Sequence, residues 1–280
     1  MELNKSVLNY NKGKKEYHKI KLSYDRKYLY YDTDWVKKPN ISSHTLVDML
    51  NFNKWTSAGK TILKNFGLIK KTPFDKYYSY RGGIAEEFAK KHLLKKYGAQ
   101  ADIEAFTLSQ FKNMNQFPES APFSGVLDLF MHQPERMPIE VKSKAMKDYE
   151  WIALKNVYPK DECVQGANQA MLIGTDKYMM IWVFISPTAS DLLRSITDED
   201  LWLWKEDYAL AIQELGLTKD DFKFHSKIFP MDLRMMKAYR EKALDRYNDF
   251  YYERRVKRDL FDSDEWRLLK SVASERKWER

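Results

Sequence analysis

Glu140 and Lys142 stand two positions apart in Met137-Pro138-Ile139-Glu140-Val141-Lys142-Ser143. In an extended strand alternate side chains share a face, so this carboxylate and ammonium project together while Ile139 and Val141 enter the opposite layer. Asp128 lies 12 positions before Glu140 (140 − 128), in Gly125-Val126-Leu127-Asp128, with Leu127 and Leu129 directed to the other face. A hairpin joining the two segments brings Asp128 alongside Glu140. Two carboxylates at one spot repel each other unless a cation joins them, and hard oxygen donors favour magnesium, with manganese able to substitute. Phosphodiester hydrolysis suits such a site: the ion polarises the phosphate, lowers the pKa of a bound water and steadies the leaving oxygen. Lys142 then orients or deprotonates the water, or stabilises the charge of the transition state. A fourth ligand or base is expected from Glu86 or Glu87; neighbouring helix positions differ by about 100°, so only one can face the site.

Taken alone, Glu-x-Lys is an ordinary pattern of a solvated strand face. Its weight comes from the elements around it. Gly82 and Gly83 are expected to open a helix in which Ile84, Ala85, Phe88, Ala89 and Leu93 recur at helical spacing up to Gly98. Strands are predicted over 102–108, 124–130 and 137–143, the last two joined through His132-Gln133-Pro134-Glu135. A helix over 161–173 ends at Gly174, and the apolar run 178–186 predicts a strand buried on both faces. Beyond Pro187 helix is expected again through 192–215. A further helix carries the buried stripe Met236, Tyr239, Ala243, Tyr247 and Phe250, with Arg254, Arg255, Lys257 and Arg258 decorating its end.

These motifs resemble the PD-(D/E)XK nuclease superfamily, and within it the RecB-like and lambda-exonuclease-like, phage-type branch. The resemblance rests on Arg81-Gly82-Gly83-Ile84-Ala85-Glu86, on Gly125-Val126-Leu127-Asp128, on Ile139-Glu140-Val141-Lys142, and on Gln165 to Gln169 in a helix before a buried strand. It covers roughly residues 80–186. It implies that Glu86, Asp128 and Glu140 bind Mg2+ or Mn2+, that Lys142 is catalytic, and that Gln165 supports Lys142 or the substrate phosphate. Leu127 stands where the family's nominal proline would be. Gln169 stands where the branch often has tyrosine, which leaves Gln165 and Gln169 as alternatives. Glu86 is preferred to Glu87 because it falls five residues after Arg81.

The implied fold is α/β, a restriction-endonuclease-like core with a central mixed β-sheet flanked by helices. The expected organisation is a basic, tyrosine-rich arm or small sheet over 1–40, the nuclease core over 41–190 and a helical C-terminal extension over 191–280. The implied activity is a metal-dependent deoxyribonuclease, an exonuclease of DNA recombination, repair or phage DNA metabolism. Its expected partner is DNA, double-stranded with an end, together with a homo-oligomeric assembly or a single-strand-annealing protein. No dedicated base-reading element is evident, which argues against a sequence-specific endonuclease. The alternatives are a structure-directed or nicking endonuclease, and a non-catalytic nucleic-acid-binding protein that keeps the fold.

Composition narrows the classes further. The 280 residues hold one cysteine, Cys163, which excludes an intramolecular disulfide framework, a cysteine-ligated zinc ribbon and a four-cysteine cluster. The cysteines that bind an iron-sulfur cluster in some relatives are absent, so that cofactor is not expected. The chain reads as cytoplasmic, in the host cytoplasm if phage-encoded: no apolar run reaches the roughly 20 residues of a membrane span, and Met1 to Tyr10 lack a signal-peptide core. A net charge of +8 is compatible with a polyanionic partner. His44 and His92 lack paired ligands at helix or hairpin spacing and are expected to be structural. Trp202 and Trp204 are expected to fill a core rather than stack on bases.

Overall fold

The computed structural model describes residues 20–23, 25–31, 40–53, 57–65, 76–107, 110–111, 115–196 and 207–272. Most of the expected N-terminal arm, together with Trp202 and Trp204, lies outside them. In chain order the elements are β1 (Ile20–Leu22), β2 (Tyr28–Tyr31), β3 (Ile41–Ser42), α1 (Ser43–Met49), α2 (Ala58–Asn65), α3 (Lys76–Tyr97) and β4 (Asp102–Ala105). They continue with β5 (Phe123–Ser124), β6 (Leu129–Gln133), β7 (Met137–Ala145), α4 (Lys160–Ile173), β8 (Lys177–Ile185) and α5 (Pro187–Arg194). The chain then forms α6 (Tyr208–Glu214), β9 (Phe222–Pro230), α7 (Leu233–Tyr251), β10 (Arg255–Lys257) and α8 (Ser263–Val272).

The chain divides into two compact units. One comprises Met1–Pro73, Ala121–Phe123 and Lys237–Arg280. In it β2 lies between β1 and β10, antiparallel to both, with Leu29 opposite Val256. Helix α1 starts at Ser42, whose hydroxyl accepts from the Thr45 N–H at 3.1 Å. Buried Asp48 accepts from Thr61 at 2.9 Å and Asn53 at 2.8 Å, and His44 reaches the same carboxylate at 3.5 Å. The basic run does not decorate a helix end as expected. Helix α7 stops at Tyr251, and Arg255 belongs to β10, where it pairs with Asp249 at 2.7 Å.

The second unit, Phe74–Ser120 and Ser124–Met236, contains a five-stranded mixed sheet in the order β4-β6-β7-β8-β9. Strands β6 and β7 form the expected antiparallel hairpin, with Leu129 opposite Ile139 and Met131 opposite Met137. Strand β8 then joins β7 in parallel through α4, the connection a parallel pair requires. Strand β9 closes the edge antiparallel to β8. The expected α/β fold, a mixed sheet between helices, is what this unit adopts.

Helix α3 lies on one face of the sheet. Its Ile84, Ala85, Phe88, Ala89 and Leu93 form a continuous core with Ile139, Val141, Met179, Ile181, Val183 and Ile185. The Phe88 ring stacks on Phe222 of β9 at 3.9 Å, and His92 stacks on Phe224 at 4.4 Å, a packing role for that histidine. Helix α4 covers the other face, over Glu140, Lys142, Lys144, Met180 and Trp182. Its Gly166 lets it settle there: a Cβ at that position would meet the Tyr178 ring at 2.5 Å and the Met180 sulfur at 2.8 Å.

Several expected boundaries move. The glycines do not open α3, which begins at Lys76 and runs through them. Gly83 is needed for close approach instead, because a Cβ there would lie 2.0 Å from the Tyr208 ring of α6. The strand expected over 102–108 pairs only as far as Ala105. The strand expected over 124–130 divides into β5 and β6, with 125–128 outside the ladder. That interval is held from the side: Gln116 N–H donates to the Gly125 carbonyl at 2.8 Å, and Leu127 N–H donates to the Gln116 side chain at 3.2 Å. Within the stretch expected to be a helical extension, the end of α5 together with α6, α7 and α8 are helices, but 222–230 is a nine-residue strand of the central sheet and 255–257 is the short strand β10.

Candidate active site

The hairpin strands β6 and β7 stop pairing beyond Leu129 and Ile139, and the site forms where they part. Asp128 is the residue before β6. Its backbone carbonyl accepts from Phe106 N–H at 3.2 Å, and its side chain Oδ2 accepts from Val141 N–H at 2.8 Å. The carboxylate thus takes the hydrogen bond that a continued ladder would have made, and this fixes Asp128 beside β7. Glu140 lies 4% exposed on the α4 face of β7 and Lys142 follows it on the same face. The Lys142 ammonium donates to Glu140 Oε1 and, at 2.7 Å, to Gln165 Oε1. Gln169 Nε2 donates to Glu140 Oε2, while its own Oε1 is buried without a partner.

The two glutamines offered as alternatives therefore both reach the site. They are four residues apart on α4, hence on one face, and each takes one member of the Glu-x-Lys pair. The two glutamates separate cleanly. Glu87 pairs with Lys91 at 3.2 Å along the outside of α3. Glu86 faces the cluster: burial and then the neighbouring Glu140 carboxylate push its pKa from 4.5 to about 7, against the pull of Lys142.

The electrostatics show three carboxylates around one ammonium. Burial raises Asp128 well above the usual carboxylate range, and Glu140 and Glu86 raise it further; Lys142 and the Val141 N–H only partly offset this. Burial works against the Lys142 ammonium, yet Glu140 and Asp128 more than compensate, so Lys142 keeps its proton. Lys142 is thus the cation that holds the acidic cluster together. Among the described residues no three His, Cys, Asp or Glu side chains are drawn into a closed metal cage. The donor set nevertheless has the chemistry of a hard-cation site: its oxygens come from three separate segments and carry excess negative charge, which pushes the pKa of Glu86 and Asp128 up.

Two groups beside the site carried no role in the sequence reading. Arg81, one and a half turns before Glu86 on α3, donates to the Ser143 carbonyl at 2.6 Å and to its hydroxyl at 3.0 Å, which ties α3 to the end of β7. Glu162, 7% exposed in the first turn of α4, accepts from Lys144 and, at 2.7 Å, from Trp182 Nε1. Lys144 continues the alternation Glu140-Lys142-Lys144, and Glu162 precedes Gln165 by one helical step, so periodicity was the signal available for both. The neighbouring Cys163 thiol is pushed up to about 11 by burial and then by Glu162 and Asp161, which keeps it protonated.

No protein-family model matches the chain, and neither does any curated protein sequence. Solved structures do. LHK-Exo in complex with dAMP superposes with a TM-score of 0.50 at 11% identity, over 76% of this chain and 89% of that one. A phage-related exonuclease from Haemophilus somnus 129PT gives a TM-score of 0.50 at 17% identity, over 78% of this chain and 97% of that one. The alkaline exonuclease LHK-Exo from Laribacter hongkongensis, in a second structure, gives 0.44 at 12% identity, over 83% and 92% of the two chains. Identities this low speak for architecture alone. The resemblance first carried by four short motifs thus extends to the backbone: this chain has the α/β fold of those exonucleases.

Proposed function

We propose that this protein is a metal-dependent DNA exonuclease that hydrolyses phosphodiester bonds at the site formed by Glu86, Asp128, Glu140 and Lys142. The observation that carries this reading is the convergence of three carboxylates from three separate segments on one half-buried lysine ammonium. A structural ion pair needs one acid per base. Here the surplus acids sit at a cost that burial and mutual repulsion make plain.

Asp128, Glu140 and Glu86 are the residues that would hold Mg2+, or Mn2+ in its place. Bound there, the ion would supply Lewis acidity toward a phosphate oxygen and an acidified water. Lys142 presents a protonated N–H donor aimed by Gln165, suited to the negative charge that accumulates on the phosphoryl group as the P–O bond breaks. Gln169 holds the second oxygen of Glu140 and so restricts the rotation of that carboxylate. A net charge of +8 favours a polyanion through counterion release. Exonuclease rather than endonuclease activity is supported by the two fold neighbours, both exonucleases, one of which holds dAMP.

The test is cleavage of end-labelled linear DNA beside a closed circular form, in Mg2+ and in EDTA, by wild type and Asp128→Asn. Loss of the linear form alone, dependent on Mg2+ and abolished by the substitution, is the expected result. Nicked circles would replace exonuclease by endonuclease activity, and binding without cleavage of either form would favour a nucleic-acid-binding protein that keeps the fold.

A further inference from the structure

Glu162, Gln165 and Gln169 occupy positions i, i+3 and i+7 of α4 and therefore share one face of the helix. Lys144, Lys142 and Glu140 are alternate residues of β7 and share one face of the strand. The contacts pair them in order: Glu162 with Lys144, Gln165 with Lys142, Gln169 with Glu140. As α4 advances, β7 recedes. Seven helical residues span about 10.5 Å and four strand residues about 13 Å, so side chains of this length can bridge every rung. Two adjacent rungs, Gln165–Lys142 and Gln169–Glu140, end on the proposed catalytic groups. The third ends on neither.

We propose that the Glu162–Lys144 rung is a positioning device for the reaction: it fixes the register of α4 along β7 and thereby sets the orientation of Lys142 and Glu140. Several features make Glu162 suited to this. It is buried, both its oxygens are engaged, and Trp182 Nε1, 2.7 Å away, holds the second oxygen from the adjacent strand β8. It stands in the first turn of α4, where a carboxylate is favoured by the helix dipole, so the anchor acts where the helix begins. About one turn further on, Gly166 lies against Tyr178 and Met180, so that at this point the helix packs on the sheet without a side chain of its own. The polar rungs add the directional contacts that the buried Val164, Ala167 and Ala170 do not make. Glu162 makes no hydrogen bond to a proposed catalytic group; it acts by position through Gln165 and Gln169, and its charge also helps to hold the proton on Lys142.

This inference rests on the nuclease reading for its activity readout, and the experiment separates the two. Wild type, Glu162→Ala, Glu162→Gln and Lys144→Met are compared for kcat and KM on linear DNA in Mg2+, below the melting temperature of each. Groups that orient catalytic residues typically account for about 10–100-fold in activity. Glu162→Ala is therefore expected to lower kcat by about tenfold or more, with KM within about threefold, while Glu162→Gln, which keeps an acceptor for Trp182, recovers most of the loss. A purely structural ion pair would instead lower the melting temperature and leave kcat per folded molecule intact, and that result overturns the proposal. If Glu162→Ala does not fold, Lys144→Met, which keeps the aliphatic stem, asks the same question with the same expected fall in kcat. Mn2+ affinity, read by electron paramagnetic resonance, is measured on the same proteins. If wild type binds Mn2+ without cutting DNA, the nuclease reading fails; the positioning role then stands if Glu162→Ala binds Mn2+ about tenfold more weakly, and falls if the affinities match. A wild type that neither cuts nor binds Mn2+ removes both.

Discussion

Helices α3 and α4 cover opposite faces of the same strands by different means. Beneath α3, β7 and β8 present Ile139, Val141, Met179, Ile181 and Val183 to Ile84, Ala85, Phe88 and Ala89, and the contact is apolar apart from the hydrogen bonds of Arg81 to Ser143 at its end. Beneath α4, β7 presents Glu140, Lys142 and Lys144, and the helix answers with Gln169, Gln165 and Glu162. An apolar contact is non-directional, so it tolerates small shifts and supplies most of the burial free energy. A polar contact in a dry interior is costly unless each donor meets an acceptor in good geometry, which makes it a weak source of stability and a strict source of position. One face of β7 therefore secures the fold while the other aims the chemistry.

The sharpest way to break this division is to exchange effects across it. On the α4 side, Lys142→Ala should lower the DNA cleavage rate about a thousandfold or more while leaving DNA binding and the unfolding midpoint largely unchanged. Turnover near the wild-type rate would remove Lys142 from the reaction. On the α3 side, Ile181→Ala should cost about 2–5 kcal/mol in urea unfolding, because Ile181 is fully buried and leaves a cavity. Its kcat per folded molecule should stay within a few-fold of wild type. A thousandfold loss there, with the fold retained, would mean that the apolar face aims the site as well.

The two faces also differed in how far the sequence disclosed them. Strand alternation alone placed Glu140 and Lys142 together, and the Gln133-Pro134 turn was enough to fold Asp128 back onto them. The buried strand β8 was visible as an unbroken apolar run. Strand β9 escaped notice because it is an edge: Phe222 and Phe224 alternate with Lys223 and His225, but Ser226 interrupts the apolar side. The start of α3 was misplaced because Tyr77, Tyr78 and Tyr80 carry little helical signal, whereas the glycine pair looked like a boundary. The sequence left Gln165 and Gln169 as alternatives, and the structure brings both to the site. Each residue has its own partner on β7, and pairing a helix face with a strand face depends on a register that only the packed structure fixes.

Glu86 is the member of α3 that serves the site, and it should behave as a cost to the side of the molecule that supplies stability. With its pKa raised from 4.5 to about 7, it binds its proton more tightly folded than unfolded. Stability attributable to it is thus fully present below about pH 4.5 and is lost as pH rises through about 7. Glu86→Gln should therefore make the metal-free protein more stable at pH 8, by about 2 kcal/mol after allowing for solvent access, and leave it unchanged at pH 4. Glu87→Gln, which touches only the Lys91 surface pair, should change stability by less than about 0.5 kcal/mol at either pH. Urea unfolding in EDTA at the two pH values checks both, and a stabilised Glu87→Gln beside an unchanged Glu86→Gln would reverse the assignment.

The last contrast concerns the glycine pair within α3. Gly83 and Gly82 are adjacent and both helical, yet a Cβ on Gly83 would meet the Tyr208 ring at 2.0 Å, whereas a Cβ on Gly82 would meet nothing within 4 Å. Gly83→Ala should cost about 1–3 kcal/mol, because the α6 ring has to move from a packed position. Gly82→Ala should instead gain about 0.5–1 kcal/mol, since alanine gives up less backbone freedom in a helix and loses no contact here. Calorimetric melting of both variants beside wild type tests the pair. If Gly82→Ala lowers the melting temperature, α3 is more closely packed on its outer side than its neighbours indicate, and the apolar face alone would no longer account for how this helix is held.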